Sequence, residues 1–165
     1  MKSGVQVIGI AALVLAGCVA APSSGEVGRA AVVVIHGDGT RQSACIDLDS
    51  GELTGTELLS RVGWDYQIDA GNAMGVLVCR IDGEGCAFPT EDCMCRCRPS
   101  EPCQYWAYFN RDPGGPWTYG AFGASQRRVV DGSMDAWVWL TSASADEAAA
   151  PVLESLTLED ICGNP

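Results

Sequence analysis

Nine cysteines occur in 165 residues, and four of them, Cys93, Cys95, Cys97 and Cys103, fall within eleven positions. A chain with thiols at this density either crosslinks itself or holds a metal, and the compartment decides between the two. The opening stretch, "MKSGVQVIGIAALVLAGC", bears on that choice. Lys2 supplies a positive start, and Val7 to Gly17 is an unbroken run of apolar and small residues. The run is short for a bilayer span, which needs ~20 apolar residues. It has the length of the hydrophobic part of a secretory signal. The chain is therefore expected to fold in an oxidising compartment.

The run ends in Leu15-Ala16-Gly17-Cys18, which resembles the lipobox of bacterial lipoproteins. A cysteine must stand there because its thiol receives the diacylglycerol. Residues 1–17 are read as a lipoprotein signal peptide and Cys18 as the lipidated N-terminus. The rival is an ordinary signal cut after Ala20 or Ala21. Residues 18–29, which include "VAAPSSGEVG", are small and polar and read as a flexible tether. The expected location is the extracytoplasmic face of the cell membrane, held by lipid.

With Cys18 assigned to lipid, eight cysteines remain: Cys45, Cys79, Cys86, Cys93, Cys95, Cys97, Cys103 and Cys162. An even number in an exported chain predicts four disulfides. The rival is zinc at "CMCRC", but zinc sites join pairs of the form C-x2-4-C, and alternate cysteines match that poorly. No metal is expected. Eight cysteines allow 105 connectivities. Cys97 and Cys103 flank "RPSEP", whose prolines favour a tight loop. Cys162 needs a distant partner, and Cys45 on an early strand suits it. Cys79, Cys86, Cys93 and Cys95 would then staple "DGEGCAFPTEDCMC".

Net charge is −11 and the only lysine lies in the signal. Nucleic acid is excluded as a partner, since no basic patch offsets the repulsion. Catalytic signatures are also missing. His36 is the single histidine and sits beside the "GDG" turn. "GAFGAS" is not G-x-S-x-G, and "RDPGGPW" has no following Lys-Ser/Thr, so neither a serine triad nor a phosphate loop is indicated. Asp47, Asp49, Glu52, Asp65, Asp82 and Glu84 fall in turns or on presumed solvent faces, where a paired-acid hydrolase is a minor alternative. The chain is read as a non-enzyme without a cofactor.

Residues 30 to 36, a Gly37-Asp38-Gly39 turn and residues 41 to 48 form a hairpin pattern. "LTGTELLSRVG" carries a capping box, Thr54 with Glu57, with Leu58, Leu59 and Val62 on one face and Gly63 as the stop. Strands follow at "WDYQIDA", "GVLVCRID", "CQYWAYFN", "WTYG" and "MDAWVWL". The order predicts an α+β fold: a β-grasp-like mixed sheet, one short helix on one face, and disulfide-stapled loops. Residues 30–140 form the domain, and 141–165 a spacer and a terminal segment pinned by Cys162.

Taken in order, "SGELTGTELLSRVG", "VCRIDGEGC", "DCMC", "YWAYF", "WTYGAFGAS", "DGSMDAWVWL" and "DIC" resemble the transcobalamin C-terminal-domain-like β-grasp domains of exported bacterial proteins. That family's aromatic block reads like Tyr-Trp-Ser-Tyr-Trp where this chain has Tyr105-Trp106-Ala107-Tyr108-Phe109. Its later Gly-Trp-x-Trp corresponds to Ala136-Trp137-Val138-Trp139. The likeness spans residues 30 to 162. In animal cobalamin carriers such a domain closes over the corrinoid opposite a large helical half, which has no counterpart in this sequence. The resemblance implies a binding module for a corrinoid or another small ligand. A structural or protein-interaction module of the envelope is the alternative. The expected partners are the membrane, through lipid, and either that ligand or an envelope protein.

Alternation places Tyr105, Ala107 and Phe109 on one side of their strand and Trp106 and Tyr108 on the other. One side is core and the other needs a cover: the cysteine-rich loop, the C-terminal tail or a ligand. Trp106, Tyr108, Trp117 and Trp139 are expected to form the ligand-binding face, opposite the helix. The choice of Trp139 rests on the resemblance.

Lipidation is testable at once. Cys18→Ala should release the protein from membranes, and a variant that still sediments with membrane at its native mass would refute the anchor.

Overall fold

The computed structural model describes residues 27–49, 52–98, 101–141 and 152–163. Cys18, the signal, most of the tether and the spacer lie outside them. The fold is α+β, mostly sheet with a few short helices. Strands β1 (Gly28–Ile35) and β2 (Arg41–Leu48) form the hairpin. Strand β3 (Leu53–Thr54) leads into helix α1 (Gly55–Arg61), with β4 (Tyr66–Asp69), β5 (Leu77–Ile81) and β6 (Glu84–Gly85) after it. Then come β7 (Gln104–Arg111), β8 (Trp117–Tyr119), a 3₁₀ turn (Ala124–Gln126), β9 (Arg128–Val129), β10 (Met134–Thr141) and helix α2 (Leu158–Cys162).

The main sheet has the order β2-β1-β10-β7-β8. At its centre β1 runs parallel to β10, with Ala31 opposite Met134 and Ile35 opposite Val138. A strand between two partners with both faces covered should read as a continuous apolar run. Residues 30 to 35, "AAVVVI", do so, and every one is buried. Strands β4, β5 and β6 make a separate three-stranded sheet, and β3 pairs with β9. The short strands β3, β6 and β9 have two residues each and no periodic signal in sequence.

Helix α1 begins as its local chemistry dictates. Thr54 accepts from the Glu57 backbone N–H, and the Glu57 carboxylate accepts from the Thr54 N–H. This reciprocal cap satisfies two backbone donors that a helix start leaves orphaned. Leu58 and Leu59 then enter a core with Val32, Val34, Trp106, Tyr108 and Trp137. The other face of the sheet carries Val33, Phe109, Ala136 and Leu140, and residues Leu153 and Leu156 of the C-terminal segment bury it. The tail is thus a second cover.

Four disulfides form: Cys45–Cys162, Cys79–Cys93, Cys86–Cys95 and Cys97–Cys103. The first ties α2 to strand β2 across 117 residues of chain. The other three knit the stretch between β5 and β7. A crosslink stabilises mainly by restricting the unfolded chain, more for longer loops.

Removing the Cys45–Cys162 bond by paired Ala substitution should cost ~2–5 kcal/mol in urea unfolding. Amide exchange in α2 and around Leu153 should accelerate with it. A loss below ~1 kcal/mol would show that burial of Leu153 and Leu156 holds the tail unaided.

Candidate functional site

The aromatic block does not lie where alternation combined with the resemblance suggested. Trp106 and Tyr108 are buried on the helix side of the sheet, packed with Leu58 and Leu59, not on the opposite face. The physical reason is space: the largest rings fill the gap between the sheet, α1 and the small β4–β6 sheet. Trp106 donates its indole N–H to the Glu84 carbonyl on β6 at 3.0 Å, so its polar atom is satisfied in the interior. Register puts Trp139 directly opposite Trp106 and Trp137 opposite Tyr108 on neighbouring strands. The ring centroids are 5.4 and 5.0 Å apart. Trp117 belongs to the other side, against the tail-covered core. The four expected ligand-binding residues therefore form no common surface. Trp106, Tyr108 and Trp139 share a face, and Trp117 does not.

Beneath Tyr108 is a buried polar knot. Its hydroxyl donates to the Asp135 carboxylate at 2.7 Å. Arg127 approaches the other Asp135 oxygen at 3.4 Å and bonds Asp112 at 2.5 Å. Asp135 is fully inaccessible. Burial pushes its carboxyl up to about 6, against the pull of the Tyr108 hydroxyl and Arg127. Burial, with the Asp135 charge, also holds the Tyr108 hydroxyl protonated by raising its value. Gly55, the first residue of α1, packs on this knot. A Cβ there would stand 2.6 Å from the Asp135 carboxylate and 2.8 Å from the Tyr108 hydroxyl. The knot therefore anchors the start of the helix.

His36, the single histidine, is also engaged. Its Nδ1 lies 2.8 Å from the Glu84 carboxylate, and its ring packs edge-on against Trp106. Among the described residues no three His, Cys, Asp or Glu side chains converge as a metal site.

What the structure does leave open is a largely apolar cleft of about 290 Å³ beside the buried Trp106. Leu77 and Val78 of β5 and the edge of Trp106 line it. Its rim is Met74, Met94, Tyr119 and Phe122, all exposed, with Phe122 at 62%. Three elements bring the rim together: the loop before β5, the disulfide-held stretch carrying Met94, and the end of β8 with the segment after it. Gly123 lets the last of these close against the Gly75–Val76 backbone, since a Cβ there would stand 2.4 Å from the Val76 carbonyl. Sequence reading missed Met74 and Met94. An isolated methionine in a loop carries no periodic signal, and only the tertiary contact makes it a rim.

Comparison with known proteins adds the following. The profile of the SCO2322-like domain family matches residues 99–165, less than half of the chain. None of the curated proteins matches it. Among solved structures, a Ruminococcus gnavus ATCC 29149 protein whose description proposes metal binding is similar at 23% identity and a TM-score of 0.46. The alignment covers 70% of this chain and 98% of that one.

The buried Asp135 should make stability depend on pH in a defined direction. In the unfolded chain an Asp titrates near ~3.9. Between about pH 4 and about 6 the folded protein therefore holds a proton that the unfolded chain has released. The contribution is full below that window and lost as pH rises through about 6, at most ~3 kcal/mol. Urea titrations at pH 4 to 7 should show a flatter profile for Asp135→Asn than for the parent. Tyr108→Phe, which removes a donor to the carboxylate, should move the window upward. Parallel profiles in parent and Asp135→Asn would contradict this.

Proposed function

We propose that the protein is an exported, lipid-anchored, non-catalytic binding module of the β-grasp type, related to the transcobalamin-like domains, and that the apolar cleft is its ligand site. The β-grasp reading is supported by the topology: the first and last strands lie side by side and parallel at the sheet centre, with α1 across one face.

The observation that carries the binding reading is the exposed rim of Met74, Met94, Tyr119 and Phe122. Large apolar side chains gathered around one recess remain in water at a cost unless something covers them. Rings offer area with few rotors to freeze, and methionine adapts its shape to the occupant. The size of the cleft bounds the ligand. Small-molecule sites run from roughly 300 to 1,000 Å³, and this one is about 290 Å³. It suits a small flat apolar group, or one edge of a corrinoid whose remainder faces solvent. The same exposed rim supports the alternative, an envelope interaction module that docks an apolar side chain of a partner.

Tryptophan fluorescence of the full chain in detergent, titrated with cobinamide and with small planar aromatic acids and amides, separates these readings. A small-ligand site should give saturable quenching of Trp106, weakened at least about tenfold by Phe122→Ser, an exposed position whose change leaves the fold intact. Absence of any saturable response would favour the interaction module. Trp106→Ala is the wrong probe, because loss of this buried ring should cost ~3–5 kcal/mol of stability.

A further inference from the structure

We infer that a second site, a polar groove along the cysteine-rich loop, binds an anionic saccharide, with Arg96 and Arg98 taking its acid group and Trp139 lining the sugar end. Two recesses meet there. One, of about 410 Å³, is bounded by Gly37, Glu84 and Trp139, and the other, of about 270 Å³, by Arg98, Glu101 and Pro102. Arg96, Gln104 and Thr141 line both, so the two adjoin along one groove-like surface. Gln104, shared by the two, donates to the Thr141 hydroxyl at 3.2 Å.

The arginines are the informative residues. The chain has 21 Asp and Glu against ten basic residues. Arg61, Arg127 and Arg128 are paired with carboxylates. Arg96 and Arg98 are both exposed, and neither side chain has a hydrogen-bond or ion-pair partner among the described residues. Even Glu101, in the same recess, makes no ion pair with either. Two guanidinium groups two positions apart repel one another, and an oxyanion between them relieves that. Their planar forks match the paired oxygens of a carboxylate or phosphate.

The backbone beneath them is already fixed. Cys95 is bonded to Cys86, and Cys97 to Cys103, so Arg96 stands between two crosslinked residues. Binding then orders side chains and not a loop, which lowers its entropic cost. The opposite end of the groove differs in sign. Glu84 is held there by His36 and by the Gly37 N–H. Its remaining lone pairs can accept from hydroxyls, and its charge rejects a second acid group. Trp139, half-buried beside it with its ring packed on Trp106, bounds this mostly polar recess, so a sugar ring there is held mainly through its hydroxyls. The groove therefore has a polarity: acid group on the arginines, hydroxyl-bearing ring toward Glu84 and Trp139.

The experiment is a fluorescence titration of the full chain in detergent with a glucuronate-terminated disaccharide and with glucose 6-phosphate. Cellobiose serves as the neutral control. Saturable binding of either acid sugar, weakening with added salt and at least about tenfold tighter than cellobiose, is expected. Whichever binds identifies carboxylate or phosphate as the anion. Arg96→Gln and Arg98→Gln should each weaken it by about tenfold with unchanged melting temperature, since both side chains are exposed. Phe122→Ser, which alters the apolar cleft, should leave this titration unchanged. The site is refuted if neither acid sugar responds, if the double arginine variant binds like the parent, or if Phe122→Ser abolishes the response.

Discussion

The parallel pairing of β1 with β10 is the interaction on which the rest of the structure depends. It joins residues about a hundred positions apart, Val32 with Asp135 and Val34 with Trp137. A central parallel pair must be buried on both faces, so the fold needs two covers. Helix α1 and the β4–β6 sheet provide one, and the C-terminal segment with Leu153 and Leu156 provides the other. Both covers are short elements of marginal stability alone, since helices under ~12 residues rarely persist without packing. This explains the crosslinks. Cys45–Cys162 holds the second cover in place, and the three bonds between β5 and β7 consolidate the neighbourhood of the first.

The legible parts of the sequence were those set by local chemistry. The Thr54–Glu57 box placed α1 because its hydrogen bonds lie within four residues. The β1–β2 hairpin, β7 and β10 followed from β-branched and aromatic runs bounded by turns. Cys45–Cys162 and Cys97–Cys103 were suggested by reach and by a proline-bounded loop, and both form. The pairing of Cys79 with Cys93 and Cys86 with Cys95 was not legible. Several arrangements of four cysteines in one irregular segment satisfy the same spacing, and the tertiary position of β5 selects between them.

The aromatic block shows where period-two reasoning stops. Alternation correctly separated Trp106 and Tyr108 from Tyr105, Ala107 and Phe109. It has no information about which side the helix occupies, because both sides are apolar. The expectation that one face stays open assumed a single cover. The tail supplied a second, through Leu153 and Leu156, whose preceding spacer reads as low complexity. With both faces closed, large rings on either one become core. Trp117 was grouped with the wrong partners because the Pro113-Gly114-Gly115 turn reverses the chain, and sequence proximity does not survive a reversal.

Closing both faces also determines where recognition can occur. The sheet interior is spent on packing, and the acid buried there, Asp135, is tied to Tyr108 and Arg127. Exposed unpartnered groups gather instead at the margins of β5, β7 and β10, where the cysteine-rich stretch crosses the sheet. Met94 points to the apolar cleft, while Arg96 and Arg98, a few residues on, border the polar groove. The alternation Cys93-Met94-Cys95-Arg96-Cys97-Arg98 accounts for this division. Every second residue is consumed by a crosslink, and the residues between are held outward on an immobilised backbone. Such a segment can present different chemistries a few ångströms apart at little conformational cost. The spacing that argued against a zinc site is thus the spacing that suits a rigid display strip.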